Sequence, residues 1–386
     1  MNIILYCNAE QRHLLPLTFM KPAGELRMGI LSFRERWERL LTAKVSYITE
    51  DYLSELFPLH HQDDNIFIHS CYLPSHALVN FILELDINQG IQKNNELIAF
   101  RGNLEQFQNH QKNLENASEF QQELVKISRP YDLFSYNHLA IDFDFELITK
   151  GRESQPISAT NGLIHSERIF LEEGAKVEFS VLNATEGPIY LGKNSEVCEG
   201  SLVRGGLALC ENAKLNLGTK IYGATTIGPW CKVGGEVNNS ILMAYSNKGH
   251  DGFLGNSVIG EWCNLGADTN NSNLKNNYSE VRLWNYDSQK FENTGLQFCG
   301  LMMGDHCKSA INTQFNTGTV AGVFANIFKS GFPPNNIESF SWGGMKDDPE
   351  FKLEAAYDIA QKMMERRKVN FSPELKKVIK YLYNLR

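Results

Sequence analysis

Three stretches of the chain carry side chains whose types could do chemistry. The richest runs from Gly234-Gly235-Glu236-Val237 through Ser246-Asn247-Lys248-Gly249-His250-Asp251-Gly252-Phe253 to Asn264 and Asn273. His250 is its centre, because imidazole exchanges a proton near neutral pH and so can take one from an attacking amine. A lone histidine in such a run can equally be a surface-turn residue. The second stretch, Cys7-Asn8-Ala9-Glu10-Gln11-Arg12 followed by Leu14-Leu15-Pro16-Leu17-Thr18-Phe19-Met20-Lys21-Pro22, offers Arg12 and Lys21 as cations for a phosphate. The third, Phe67-Ile68-His69-Ser70-Cys71-Tyr72-Leu73-Pro74, ends a candidate strand on Ser70 and Cys71, both poor Mg²⁺ ligands. The eight cysteines (7, 71, 198, 210, 231, 263, 299 and 307) include no C-x-x-C pair, which speaks against a disulfide framework and against a structural zinc.

These groups need elements to position them, and the strongest signal in the chain is a six-residue period. Leu191, Val197, Val203, Leu209, Leu215, Ile221, Ile227 and Val233 are each six positions apart, and the residue four further on is small or β-branched in all but one case. The period resumes at Phe253, Ile259 and Leu265, then more weakly at Met303, Ser309, Phe315 and Ala321. Six is neither the 3.6 of a helix nor the 2 of a simple strand; it means a short strand plus a tight turn, three of which close a triangular coil. Coils stacked about 4.8 Å apart put Leu191, Leu209 and Ile227 above one another in a continuous apolar core. Cys231, Cys263 and Cys307 fall among the small residues that line its corners.

Residues 1–150 read differently. A short strand at Ile3–Tyr6 is followed by a helix in which Leu26, Ile30, Phe33, Trp37 and Leu40 recur every three or four residues. Strands are expected at Val45–Ile48 and Ile66–His69 and a helix at His76–Leu85, an alternation that suggests an α/β layer with a parallel sheet. Downstream, Asp347 or Asp348 before Pro349, and Ser372 before Pro373, look like N-caps of two closing helices, near 349–368 and 373–384.

The length of 386 residues suggests two domains plus an extension. With 37 Lys and Arg against 45 Asp and Glu, the net charge of −8 argues against a nucleic-acid partner. No apolar run reaches the roughly 18 to 20 residues that span a bilayer, and the start lacks a signal-peptide pattern, so no membrane association and a cytoplasmic location are the expectation.

The hexads resemble the left-handed parallel β-helix of the hexapeptide-repeat acyltransferases. The run around His250 is similar to the acetyltransferase half of the bifunctional N-acetylglucosamine-1-phosphate uridyltransferase and glucosamine-1-phosphate acetyltransferase family. There the pattern is K-x-G-H, a hydroxylated aromatic three residues on, L/V-G-D-x-x-I-G and N-x-G-A-G. Lys248 falls one residue nearer the histidine than in that pattern, Phe253 replaces the tyrosine and Asp268 the last glycine, while His250, Asn264 and Asn273 keep their spacing. The Pro-Leu-Thr run resembles the start of a sugar-1-phosphate nucleotidyltransferase, with Cys7 to Arg12 where that family has its glycine-rich phosphate loop.

The resemblance implies an α/β plus β architecture: a shortened Rossmann-like nucleotidyltransferase-type domain over 1–150 with a degenerate phosphate loop, a left-handed β-helix over 151–330 and a helical extension over 331–386. It implies acyl transfer from acetyl-CoA as cosubstrate to an amino sugar or sugar phosphate. His250 would be the general base, Glu236 the carboxylate that orients it and Asn264 a catalytic partner. Lys220, Lys248, Phe253 and Asn273 would bind substrate, Ala310, Ile311 and Gly322 would line the acetyl-CoA track, and Arg12 and Lys21 would bind a nucleotide weakly. No metal is expected, Mg²⁺ being needed only if nucleotidyl transfer is real. A homotrimer is implied. Two alternatives remain: a sugar-1-phosphate nucleotidyltransferase of the uridylyl or thymidylyl type, and a non-catalytic sugar-nucleotide-binding homologue. The insertion from Asn276 to Gln297, with Trp284 and Tyr286, either rebuilds the pocket or packs on the coils.

Overall fold

The computed structural model describes residues 2–114 and 117–385. The chain divides into two compact units: Met1–Leu14, Met20–Leu26 and Leu31–Ser128 form the first, and Leu15–Phe19, Arg27–Ile30 and Arg129–Arg386 the second.

The first unit is built on a six-stranded mixed sheet. Its strands are β1 (Asn2–Tyr6), β2 (Val45–Tyr47), β3 (Asn65–His69), β4 (Gln89–Lys93), β5 (Glu96–Gly102) and β6 (Ala117–Glu119), in the order β2-β1-β3-β5-β4-β6. Helices α1 (Glu10–His13), α2 (Phe33–Leu41), α3 (His76–Leu83) and α4 (Leu104–His110) join them. The parallel pairing that the strand–helix alternation suggests joins β1 to both β2 and β3, and β4 to β6, but β5 runs antiparallel to both β3 and β4. The reason is local, since β4 and β5 are joined by the tight turn at Asn94 and Asn95, both in the left-handed region, so they form a hairpin and no crossover. The helix expected from Leu26 onward starts only at Phe33, where Ser32 and Glu35 form a reciprocal capping box.

The second unit contains α5 (Pro130–Ser135), α6 (Asn137–Thr149) and a parallel β-solenoid with sheets up to nine strands deep. Leu191 sits over Leu209 and Leu209 over Ile227, the expected eighteen-residue stacking. Cys231, Cys263 and Cys307 are fully buried members of its core. Residues 129–150 belong to this unit: the Asn137 amide donates to the Ala224 carbonyl (2.9 Å) and its oxygen lies 3.0 Å from the Thr226 hydroxyl.

The hexad register breaks after Val233, since Ile221 pairs with Val237, a step of sixteen. Ile227 pairs with Leu242 and Val233 with Lys248, steps of fifteen residues, because the coil between them is three residues short. Two expectations fail for this reason. Lys248 occupies a position in the inward aliphatic row, and at 253–254 it is Leu254 that is buried while Phe253 faces outward, half-buried. The insertion forms an antiparallel hairpin, Arg282–Asn285 with Lys290–Asn293. It lies against the coil at Gly318 (φ +70°), where an added Cβ would stand 2.6 Å from the Arg282 carbonyl oxygen.

The closing helices are α7 (Leu353–Glu365) and α8 (Pro373–Leu385). Proline 373 opens α8 as expected, but Pro349 opens nothing. Asp348 instead accepts the Met345 N–H at 2.6 Å and binds the Lys329 ammonium, so its carboxylate closes a turn and α7 starts four residues after Pro349. Among the described residues, no helix is long and apolar enough to cross a membrane.

Candidate functional site

At one corner of the solenoid, where the sheet containing Glu196, Lys214 and Asn247 turns into the sheet containing Lys220, Glu236 and Phe253, lies a cavity of about 940 Å³. His250 is on its wall, exposed, beside Gly235, Asp251 and Asp268. Among the described residues its imidazole makes no hydrogen bond, which leaves both ring nitrogens unpaired.

The turn that carries His250 is held from inside the coil. Lys248 is 1% exposed, and its ammonium donates to the carbonyl oxygens of Gly234 and His250, each at 2.9 Å. Asn216 donates to the Gly249 carbonyl at 2.7 Å. Gly234 and Gly249 let the two turns touch, since a Cβ on residue 234 would lie 2.7 Å from the Gly249 oxygen. Lys248 therefore positions the histidine and presents no surface to a substrate.

Burial lowers the Lys248 pKa to about 8, with Asp251 and Asp268 pulling weakly the other way. An amine whose folded pKa lies below its unfolded value of about 10.4 costs stability while it is charged, and that cost disappears as pH rises from 8 towards 10. The stability of the parent relative to Lys248→Met should accordingly rise by up to about 3 kcal/mol between pH 7.5 and 10. Urea unfolding of both proteins at the two pH values checks this; an unchanged difference contradicts it.

The other candidates scatter. Lys220, Glu236 and Phe253 are register neighbours in one outward row. Glu236 accepts the Tyr222 hydroxyl at 2.6 Å, and no contact joins it to His250 among the described residues. Phe253 and Asn273 meet over Gly255, where a Cβ would stand 2.5 Å from the ring and 2.7 Å from the Asn273 amide, and Asn273 donates to Asn256 at 2.8 Å. Asn264 is exposed in the row of Asn247 and Lys308, on another sheet. Of the expected acetyl-CoA track, Ile311 is 69% exposed, the Ala310 backbone lies against Gly266, and Gly322 is closed off by Ser339.

In the first unit, the carboxyl ends of β1 and β3 hold a cluster that the sequence did not announce. Lys126 donates to Glu10 (2.6 Å) and Glu96 (2.7 Å), Tyr72 donates to Glu96 (2.5 Å), and the His69 Nε2 faces Glu10 at 3.3 Å and Glu96 at 3.5 Å. Burial alone would raise the Glu10 pKa, but His69 and Lys126 more than offset it and hold the carboxyl far below its usual range. Arg12 is exposed on α1, whereas Lys21 is 4% exposed.

Cys7, Glu10 and His69 place possible metal-ligand atoms within 4.8 Å of one another. They do not fit Mg²⁺, which takes oxygen ligands in octahedral geometry, and both carboxylates already share the Lys126 ammonium. His69 Nδ1 accepts the Cys71 N–H at 3.3 Å, which puts the ring proton on Nε2, the nitrogen a metal would need.

Residues 3–153 match the family model described as sugar nucleotidyl transferase. The matched residues precede the β-solenoid in the chain. No curated protein matches the chain. Among solved structures, a crystal structure of UDP-N-acetylglucosamine acyltransferase is similar at 12% identity and a TM-score of 0.25, over 59% of this chain and 93% of that one. A likeness that slight carries no argument about this chain.

Proposed function

We propose that this sugar-related transferase acylates the amine of an amino sugar from acetyl-CoA, with His250 as general base. The observation that supports this most is an unpartnered imidazole on a cavity wall, its own carbonyl clamped by a buried ammonium. In the reaction the amine nitrogen attacks the thioester carbonyl, His250 takes the proton the nitrogen sheds, and the CoA sulfur leaves as the C–S bond breaks. The lining supports an amine more than a phosphate: Glu199, Asp251 and Asp268 face the cavity, and Lys214 is already paired with Glu196 at 2.7 Å. Glu236 is too occupied with Tyr222 to orient the imidazole, so Lys248 and Asn216 take that role through the backbone. Ile311 offers apolar surface for the pantetheine arm. CoA thiol release from acetyl-CoA, measured with and without glucosamine, tests the reading.

Nucleotidyl transfer is the second reading, favoured by the family match over residues 3–153. The negative side of the cluster at Glu10 and Glu96 weighs against it, as does the absence of glycine from residues 7–12, which keeps backbone N–H groups from a triphosphate. The expected result is no Mg²⁺-dependent pyrophosphate release from sugar 1-phosphates and nucleoside triphosphates. Rapid release with any such pair promotes this reading over acyl transfer.

The solenoid leaves Phe179, Val181, Leu202 and Leu217 exposed, at 65, 41, 50 and 72%. Apolar surface of this kind supports a homotrimer built on the solenoid faces. Sedimentation equilibrium at micromolar concentration should give three times the 43.8 kDa chain mass. A species at the single-chain mass rules the trimer out.

A further inference from the structure

A pair of thiols in the first unit has no part in acyl transfer. Cys7 follows β1 directly and Cys71 lies two residues past β3, and Tyr6 and His69 at the ends of those strands are register partners. The strands therefore deliver the two sulfurs side by side, Sγ to Sγ 3.3 Å. Of the eight cysteines only Cys7 is not buried. Cys71 is fixed from both sides: its carbonyl accepts the Ile127 N–H at 2.8 Å and its own N–H donates to His69.

We propose that Cys7 and Cys71 form a peroxide-reactive dithiol, in which Cys7 is oxidised first and Cys71 resolves it into a reversible disulfide. The Cys7 sulfur attacks one peroxide oxygen, the O–O bond breaks, and the second oxygen leaves as water, giving Cys7–S–OH. The Cys71 sulfur then attacks that sulfenic sulfur, the S–O bond breaks, and hydroxide leaves as water with the Cys71 proton. The balance is two thiols and one hydrogen peroxide to one disulfide and two waters. Cys71 is 1% exposed whereas Cys7 is half-buried, so the peroxide reaches Cys7 first. Closing the pair to a bonded distance of about 2.05 Å asks the sulfurs to move little more than an ångström. The half-exposed Cys7, leading into the short helix α1, is the side free to make that move.

The test uses the full chain, hydrogen peroxide as the oxidant, alkylation of remaining thiols and digestion without reductant. The expected result is a linked peptide joining Cys7 to Cys71, accompanied by the loss of two hydrogens per chain and reversed by dithiothreitol. Cys71→Ser should instead accumulate a sulfenic acid at Cys7 that dimedone traps, several-fold above the parent, while Cys7→Ser should leave Cys71 unmodified. Oxidation without that linked peptide in the parent overturns the proposal, whether or not the variants fold. So does equal dimedone labelling of Cys7 in the parent and in Cys71→Ser.

Discussion

His250→Ala should lower acyl transfer by roughly 10² to 10⁴, the usual contribution of a positioned proton acceptor, with the fold intact. The fold is expected to survive because His250 is exposed and its ring bonds to nothing among the described residues; what holds its turn is backbone, through Lys248 and Asn216. The loss should fall on kcat, since the alanine leaves the carboxylates of the cavity to bind the amine. Glu236→Gln, by contrast, should cost little, because its partner is Tyr222 and not the imidazole. Steady-state rates of both variants at saturating acetyl-CoA separate these roles, and an equal loss in the two restores Glu236 as the orienting residue.

Lys126→Met should destabilise the first unit by about 1 to 3 kcal/mol, less than for a fully buried ion pair because the Lys126 side chain is 24% exposed. Without the ammonium, two carboxylates face each other across His69, Glu10 being 7% exposed. The pH dependence has a definite sign. Glu10 is held below its ordinary pKa, so the stability it lends through Lys126 is present above the unfolded carboxyl value of about 4.3 and is lost as pH falls through and below it. The gap between parent and variant in chemical unfolding should therefore be full at pH 7 and shrink below pH 4.5. A gap that widens with acid contradicts the cluster's assignment.

The solenoid was legible because its core is a one-dimensional repeat: each aliphatic residue needs only its neighbour eighteen positions away, and Leu191, Leu209 and Ile227 declare that spacing openly. Legibility ends where one coil loses three residues. A lysine two residues before a histidine reads as a substrate ligand, and nothing local shows that the shortened coil swings its ammonium inward onto the Gly234 carbonyl. Glu236 fails similarly: fourteen residues from His250 suits an orienting carboxylate, yet strand pairing sends it along an outward row to Tyr222. In the first unit, Glu10, His69, Glu96 and Lys126 come from four separate segments, so no spacing could have joined them. Composition and local pattern see neighbours along the chain; a buried charge cluster is made by neighbours across a sheet.

The measurement that bears most directly on the account is a titration of CoA thiol release by the full-length protein, at fixed acetyl-CoA, against increasing glucosamine, run in parallel with His250→Ala. The account predicts release that saturates in the amino sugar, yields one N-acetylated product per thiol and falls at least a hundredfold in the variant. Release that does not depend on the amine, or that the variant sustains at the parent's rate, contradicts it.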